Sequence, residues 1–260
     1  MSIIGLPAFN DNYIWVIVNE TKHTLTCVDP GIATPVLNYA KRNGLTLNNI
    51  LITHHHQDHA GGITELLQTY PKTNVFGPID PRIPLVNALV HDEDIIHIDN
   101  LAFRVLSTPG HTSTHVCYQE PTKGWLFCGD TLFSAGCGRV FDGTIEKLHQ
   151  SILLLKNLPN DTKIYCGHEY TLQNLRFAAT VEPENKTVHT YYTHLKEKAG
   201  ACTLPSTIAL EKKINPFMRT SMPTIQDYAS AHGTTSHDSL AIFKLLREKK
   251  NNFIPPTDGL

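Results

Sequence analysis

The chain has 260 residues, of which 41% are hydrophobic and 18% charged, and its formal net charge is −2, all typical of a globular protein. No apolar run reaches the roughly 20 residues of a membrane-spanning helix, the N-terminus has no signal-peptide pattern, and no basic field indicates nucleic-acid binding. We therefore expect a cytoplasmic monomer that binds neither membranes nor nucleic acid, with its six scattered cysteines as free thiols.

Short strands separated by turns dominate the chain up to residue 168. A first helix is predicted over Val36–Asn43, with Thr34 as its N-cap and Gly44 at its end, and a second over Ile145–Leu155. The predicted strands are Asn12–Val18, Thr24–Val28, Asn49–Ile52, Asp94–Ile98, Ala102–Leu106, His115–Tyr118, Trp125–Cys128 and Lys163–Cys166.

Helical patterns replace strands after residue 168. The predicted helices are Glu169–Val181, Lys186–Ala199, Ser206–Lys213 and Ser236–Lys249. The change predicts a mixed α/β catalytic domain over 1–168 and a smaller helical domain over 169–260.

A dense histidine cluster, Thr53–His59, follows the predicted strand Asn49–Ile52. At strand periodicity His54 and His56 point to one side and His55 to the other, whereas Asp58 and His59 lie beyond the strand end. Gly61-Gly62 lets backbone approach closely as a helix begins. The pattern H-x-H-x-D-H offers two nitrogens to one point, and an oxygen and a nitrogen to another. A solvated polyhistidine patch fits poorly with a buried strand and a Gly-Gly helix start.

Three more candidate ligands recur in the same local setting, each after a strand-like run and a glycine: His111, Asp130 and His168. Imidazole and carboxylate suit zinc, iron and manganese. One closed four-ligand zinc site is the alternative, but the tight spacing of the cluster and the additional ligands argue against it. Seven ligands satisfy two ions if one carboxylate and a water bridge them.

The H-x-H-x-D-H cluster, with the later G-H-T, G-D-T and G-H-E-Y segments, resembles the metallo-β-lactamase superfamily. Within it, the chain is similar to the glyoxalase II (hydroxyacylglutathione hydrolase) family along essentially its whole length. The segments that narrow the resemblance are Asn215–Arg219 and Arg247–Phe253. The resemblance implies an αββα sandwich followed by an all-α, substrate-binding domain.

The resemblance also implies how the ligands are divided. His54, His56 and His111 would hold one metal, Asp58, His59 and His168 the other, and Asp130 would bridge them. The two divalent ions would be zinc, with iron or manganese as alternatives. A metal-bridged hydroxide would hydrolyse S-D-lactoylglutathione and related 2-hydroxyacylglutathione thioesters to glutathione and D-lactate, the second step of methylglyoxal detoxification. Asp58 and Asp130 would be the catalytic carboxylates.

Five positions match the family's contacts with its small-molecule glutathione thioester. Arg139, Arg247 and Lys250 are basic where the family places basic residues, and Tyr170 matches a substrate-contacting tyrosine. Phe141 departs from the family, because many members carry a tyrosine there. Without the resemblance, Arg247 and Lys250 read as the solvated face of a terminal helix.

Several alternatives stay open from the residues alone. Asp29, at the end of a strand, either orients a metal ligand or is an ordinary turn residue. A lactonase, a β-lactamase or a mononuclear-iron persulfide dioxygenase would keep the fold and change the chemistry, although the complete second ligand set disfavours the dioxygenase. A non-catalytic metal-binding scaffold is disfavoured because structural zinc sites are closed by four ligands.

Overall fold

The computed structural model describes residues 1–198, 200–234 and 236–254. Two six-stranded sheets and a group of helices make up most of this part of the chain. None of the described helices is long and apolar enough to cross a membrane. The predicted helix Lys186–Ala199 ends on a residue outside the described part, and so does the end of the predicted helical domain, 255–260.

The first sheet contains six strands, and their spatial order is the same as their order in the sequence. They are β1 (Ser2–Ala8), β2 (Asn12–Asn19), β3 (Thr24–Val28), β4 (Thr46–Leu51), β5 (Asn74–Pro78) and β6 (Ala88–Val90). The pairs β1–β2 and β2–β3 are antiparallel, whereas β3 to β6 run parallel.

The second sheet is also mixed. Its strands are β7 (Ile95–Ile98), β8 (Leu101–Ser107), β9 (Val116–Glu120), β10 (Trp125–Gly129), β13 (Lys163–Cys166) and β14 (Ser206–Thr207). Their spatial order is β14-β13-β10-β9-β8-β7, with β10 and β13 parallel. A separate two-stranded hairpin is formed by β11 (Leu132–Phe133) and β12 (Gly136–Cys137).

The helices lie outside the two sheets and in the C-terminal part. They are α1 (Thr34–Asn43), α2 (Gln57–Ala60), α3 (Ile63–Thr69), α4 (Ile145–Lys156), α5 (Thr171–Val181), α6 (Lys186–Glu197), α7 (Ile208–Ile214), α8 (Pro223–Ala231) and α9 (Ser239–Asn251). A short 3₁₀ turn covers Pro216–Met218.

Alternate side chains of β2 pack into two different core clusters, one on each face of the first sheet. Trp15 and Ile17 belong to the core cluster that includes the second sheet and α4, whereas Val16 and Val18 belong to the cluster that includes α1 and α3. Successive side chains of a strand point to opposite faces, so a strand that is apolar on both faces is covered on both. This arrangement confirms the expected αββα sandwich followed by helices.

Some predicted elements differ from the observed ones. Ser206 and Thr207 pair with β13 instead of opening a helix, and α7 begins at Ile208 with the Thr207 hydroxyl accepting from Leu210 N. Thr34 was wrong as an N-cap, because it lies inside α1. The elements that the sequence analysis missed are β1, β5, β6, β11, β12, α2 and α8. Segments of two to four residues carry little periodic signal, and β1 contains a glycine and a proline, which are rare in strands.

Candidate active site

All seven predicted metal ligands lie together at one edge of the sandwich. The segment 54–59 follows β4, His111 follows β8, Asp130 follows β10 and His168 follows β13. Strand β8 runs parallel to β10, because both are antiparallel to β9, and β10 runs parallel to β13. The carboxyl ends of these strands therefore deliver side chains to the same place, where α/β folds commonly bind ligands.

Three imidazoles form the first group of potential ligands. His56 Nδ1 lies 3.1 Å from His54 Nε2 and 3.1 Å from His111 Nε2. Together they are one of the sets of side chains whose donor atoms converge closely enough to hold an ion. His55 turns away, and its Nδ1 lies 3.6 Å from an oxygen of Asp80.

A carboxylate and two imidazoles form the second group. His59 Nε2 and His168 Nε2 are 3.3 Å apart, and Asp58 Oδ2 lies 3.5 Å from the first and 3.4 Å from the second. These three residues are another convergent set.

Asp130 lies between the two groups. Its Oδ1 is 3.3 Å from His59 Nε2, and its Oδ2 is 3.5 Å from His111 Nε2 and 3.4 Å from His168 Nε2. Its carboxylate thus contacts nitrogens of both groups, the placement that a bridging ligand needs.

The outer ring nitrogens of four histidines each contact a fixed oxygen. His59 Nδ1 contacts Asp29 Oδ2 at 3.0 Å, and His111 Nδ1 contacts the Arg139 carbonyl at 2.7 Å. The other two contacts are His54 Nδ1 with Thr53 Oγ1, at 2.9 Å, and His168 Nδ1 with Asp11 Oδ1, at 2.8 Å. Such partners fix ring orientation and leave the inner nitrogen free.

Asp29 contacts the ring of His59, as expected if it orients a metal ligand. Besides His59, its carboxylate accepts hydrogen bonds from Thr53 N, at 2.8 Å, and Thr53 Oγ1, at 2.7 Å. It also has a positive φ of 52°, as turn aspartates often do. The residue is therefore both a turn residue and a support for an imidazole.

Sequence reasoning missed three residues that contact the candidate ligands. Asn12 Nδ2 donates to Asp58 Oδ2 at 2.9 Å, and Asp11 precedes it in the β1–β2 turn. His115 is fully buried, and its Nε2 accepts from Asp130 N at 3.2 Å. Asn12 lies 46 residues before Asp58, so no local sequence pattern could have indicated the contact between them.

Gly167 is required at its position because the site is close-packed there. A Cβ on it would lie 2.6 Å from His59 Cε1 and 2.7 Å from Asp130 Oδ1. The prediction for the Gly-Gly pair is confirmed as well, since a Cβ on Gly62 would lie 2.5 Å from the Pro30 carbonyl oxygen.

The two histidine groups differ in their electrostatics. Burial and the neighbouring histidines lower the pKa of His54 well below its usual value and that of His56 to about 4. Burial also disfavours charge on His168, but Asp130, Asp58 and Asp11 outweigh it and raise the pKa of this imidazole to about 11. Burial opposes ionisation of Asp130, yet His59 and His168 hold its pKa well below the usual range. Neutral imidazoles are therefore favoured in the first group, whereas the carboxylates around the second group favour positive charge there.

The donor set fits metal ions. Five imidazoles and two carboxylates converge without any lysine or arginine among them, and Asp130 Oδ1 is buried with no hydrogen-bond donor among the described residues. A buried carboxylate oxygen without a donor is costly unless a cation satisfies it. The site therefore has the composition of a divalent metal centre.

A cavity of about 410 Å³ opens above these ligands. His56, Asp58, His111, Asp130 and His168 line its floor. Phe133, Phe141, Tyr170 and Phe253 line its walls, together with Arg139, Arg247 and Lys250. The Tyr170 ring stacks on His168, with centroids 4.7 Å apart, and Phe141 is 65% exposed at the rim. All five predicted substrate-contacting residues thus line one cavity.

The three cations of the cavity have different roles in the fold. Arg247 is buried, and its guanidinium donates to the carbonyls of Cys137, at 2.8 Å, and Gly138, at 3.3 Å. Lys250 Nζ lies between the rings of Phe177 and Phe253, and donates to the Gln173 carbonyl at 3.3 Å. Within the described residues none of the three forms a salt bridge. The cavity therefore has positive charge available for an anionic ligand.

Comparison with known families covers nearly the whole chain. The family described as "Metallo-beta-lactamase superfamily" matches residues 9–168, and that described as "Hydroxyacylglutathione hydrolase C-terminus" matches residues 169–253. The chain is 54% identical over 253 residues to "Hydroxyacylglutathione hydrolase" of Legionella pneumophila strain Corby, covering 97% of this chain and 100% of the relative. It is 44% identical to the protein of the same name from Chromohalobacter salexigens, with the same coverage.

Solved structures share the fold at lower identity. ETHE1 from Myxococcus xanthus superimposes with a TM-score of 0.66 at 23% identity, covering 99% of this chain and 93% of that one. The BLEG-1 B3 metallo-beta-lactamase has a TM-score of 0.63 at 23% identity, covering 84% and 99%. TTHA1623, solved in a di-iron-bound form, has a TM-score of 0.60 at 22% identity, covering 84% and 100%. At these identities the likeness concerns the fold alone.

Proposed function

The chain belongs to the hydroxyacylglutathione hydrolase family of the metallo-β-lactamase superfamily, and from this membership we propose how its own residues perform the reaction. It is a thioester hydrolase that converts S-D-lactoylglutathione and related 2-hydroxyacylglutathiones to glutathione and the free acid, the second step of methylglyoxal detoxification. The observation that carries the assignment to this site is the convergence of both ligand groups beneath a cavity lined by three cations that form no salt bridge with the described residues.

The centre binds divalent metal, and we assign two ions to it. His54, His56 and His111 would hold one, Asp58, His59 and His168 would hold the other, and Asp130 would be shared between them. The Asp130 contacts to both groups support this division. Zinc is the expected ion, with iron or manganese as alternatives, since imidazole and carboxylate suit all three. Divalent ions held by these residues would supply a nucleophile at neutral pH and positive charge where an oxyanion develops.

The chain's carboxylates and imidazoles keep this centre in a fixed geometry. Asp58 and Asp130 are the proposed catalytic carboxylates. Asn12 donates a hydrogen bond to Asp58, and Asp29 accepts one from the ring of His59. The leaving thiol has a pKa near 8.5, so a thiolate departs without a strong general acid.

The cavity walls bind the glutathione part of the substrate. S-acylglutathione carries two carboxylates and one ammonium, which leaves one net negative charge. Arg139 and Lys250 offer side-chain charge to it, and Arg247 adds the field of a buried guanidinium. Tyr170 and Phe141 provide aromatic walls on either side of the metal ligands.

We propose that catalysis and substrate binding are divided between two domains. Residues 1–168 form the catalytic domain, and 169–260 form the substrate-binding domain, because α9 carries Arg247 and Lys250 to the cavity. We propose that the monomer is the functional unit, because a single chain supplies both ligand groups and all five proposed substrate contacts.

A thioester assay on protein of known metal content tests the function. Loss of S-D-lactoylglutathione absorbance should be fast, and hydrolysis of a lactone or a β-lactam should be slower by orders of magnitude. Equal or faster turnover of either control would assign the site to a different ester or amide.

A further inference from the structure

Arg82 lies between two carboxylates from different loops. Its Nε and NH2 donate to Asp80, at 2.8 and 2.7 Å, and its NH1 donates to Asp142. We name Asp80, Arg82 and Asp142 the Arg82 clasp. None of its three residues belongs to the ligand and substrate sets described above.

The clasp connects three loops at the rim of the cavity. Asp80 and Arg82 follow β5, and Asp80 also accepts from Thr114 Oγ1 at 2.6 Å. Asp142 accepts from Ser113 N at 3.0 Å and Ser113 Oγ at 3.2 Å. The loop after β5 is thereby tied to the β8–β9 loop and to the loop after β12.

Two of these loops carry groups of the site. His111 accepts from Phe141 N through its carbonyl, at 3.0 Å, and its Nδ1 contacts the Arg139 carbonyl at 2.7 Å. The Phe141 ring stands over His56 and His111, with centroids 4.9 and 5.2 Å away. Since Phe141 is largely exposed, its ring has little packing of its own, and its position depends on how the backbone beside Asp142 is held.

The alternative is that the three residues form an ordinary surface ion pair, which contributes little to stability. Two observations count against it. The Asp80 side chain is fully buried and receives a two-pronged guanidinium contact, the geometry in which such pairs are strongest. Arg82 also contacts Asp142 with its third nitrogen, so one side chain fixes the distance between two loops.

We propose that the Arg82 clasp is a positioning device that holds Phe141 and Arg139 over the substrate cavity; the role in catalysis rests on the proposed function. Arg82, Asp80 and Asp142 do not touch the substrate. They act through the loop after β12, which presents the Phe141 ring and the Arg139 charge.

Two variants with opposite charge changes test the proposal. Arg82→Ala removes a positive charge, and Asp142→Asn removes a negative charge while keeping an oxygen for Ser113 N. Displacement of Phe141 and Arg139 should raise the KM for S-lactoylglutathione by about 10-fold in both, since a displaced cation loses its contact with the bound substrate. The kcat should change little. The metal content should stay at the wild-type value, because His54 and His56 of the same ligand group follow β4 and lie outside the displaced loop.

The double variant should be no worse than the worse single variant, because both changes break the same contact. If the clasp acted by attracting the anionic substrate, Arg82→Ala would raise KM and Asp142→Asn would lower it. Opposite shifts would therefore overturn the positioning role.

Arg104→Ala is the matched control, since Arg104 pairs with Glu93 on the surface of β8, away from the cavity. Amide hydrogen exchange of the peptide 138–144 should accelerate in both clasp variants and not in this control. Unchanged exchange, or a KM equal to that of the control, would overturn the proposal. The exchange result stands even if wild type fails to hydrolyse S-lactoylglutathione, so the two failures are distinguishable.

Discussion

Asp130 and Asp29 both contact His59, but from opposite sides of its ring. Asp130 Oδ1 faces Nε2 at 3.3 Å, and Asp29 Oδ2 faces Nδ1 at 3.0 Å. Asp130→Ala should remove a bridge between two ions and abolish activity, whereas Asp29→Ala should reduce metal affinity or activity by about 10- to 100-fold, as is typical of a residue that orients a ligand. Steady-state kinetics and elemental analysis measure both effects.

His55→Ala is the control for metal content, because the His55 ring points toward Asp80 and away from both ligand groups. It should bind as much metal as wild type. Equal losses of activity in Asp130→Ala and Asp29→Ala would contradict the bridging role.

Phe141→Tyr tests the position where the chain departs from its family. The ring is exposed at the rim, so a hydroxyl can be added without repacking the core. It would bind substrate and transition state alike, which lowers KM and leaves kcat nearly unchanged. A change in kcat of tenfold or more would place the ring at the reacting atoms instead.

Helix α9 has two basic residues that differ in how they contribute to stability. Arg247 joins α9 to β12 through the Cys137 carbonyl and packs over the Phe217 ring, with its Cζ 5.2 Å from the ring centroid. Arg247→Met should lower the free energy of unfolding by about 2–4 kcal/mol, because it leaves buried carbonyls unpaired. Lys250→Met should cost less than about 1 kcal/mol, since it mainly loses contacts with two rings. Denaturant unfolding distinguishes them, and equal losses would refute the anchoring role of Arg247.

The charge of Lys250 gives α9 a pH dependence. Burial, together with the nearby Arg247, lowers the pKa of Lys250 to about 7, so in the free enzyme the ammonium loses its proton as pH rises through neutrality. An anionic substrate favours the protonated form, and kcat/KM reports groups of the free enzyme. The ratio of wild-type to Lys250→Met kcat/KM should therefore be greatest below pH 7 and fall toward one between pH 7 and 9. A ratio that is constant over this range would contradict a titrating Lys250.

The whole molecule should be stabilised by its metals. Both ligand groups combine loops from the two sheets, so ions bound there connect strands β4, β8, β10 and β13. A ligand that binds only the folded state at 100 times its Kd stabilises it by about 2.7 kcal/mol. Elemental analysis should approach two equivalents of zinc, iron and manganese combined, and chelation should lower Tm. Full activity at one equivalent, unchanged by added metal, would exclude the two-metal scheme.

The sequence by itself determined which side chains converge at the site and much of the framework that carries them. All seven predicted ligands converge. Strands β8, β10 and β13 were predicted to within one residue of their observed bounds, and β4 begins three residues earlier than predicted. Local patterns were sufficient there, since strand periodicity and the residues at a strand end are both short-range signals.

Only the tertiary structure decided which distant residues support those ligands. Asp11 and Asn12 contact residues 157 and 46 positions away, and Arg247 meets Cys137 across 110 positions. The sequence left Arg247 and Lys250 on the same helix face with the same charge. Packing then buried one against backbone carbonyls and enclosed the other between aromatic rings. Such differences arise from burial and from contacts between separate elements, which no local pattern records.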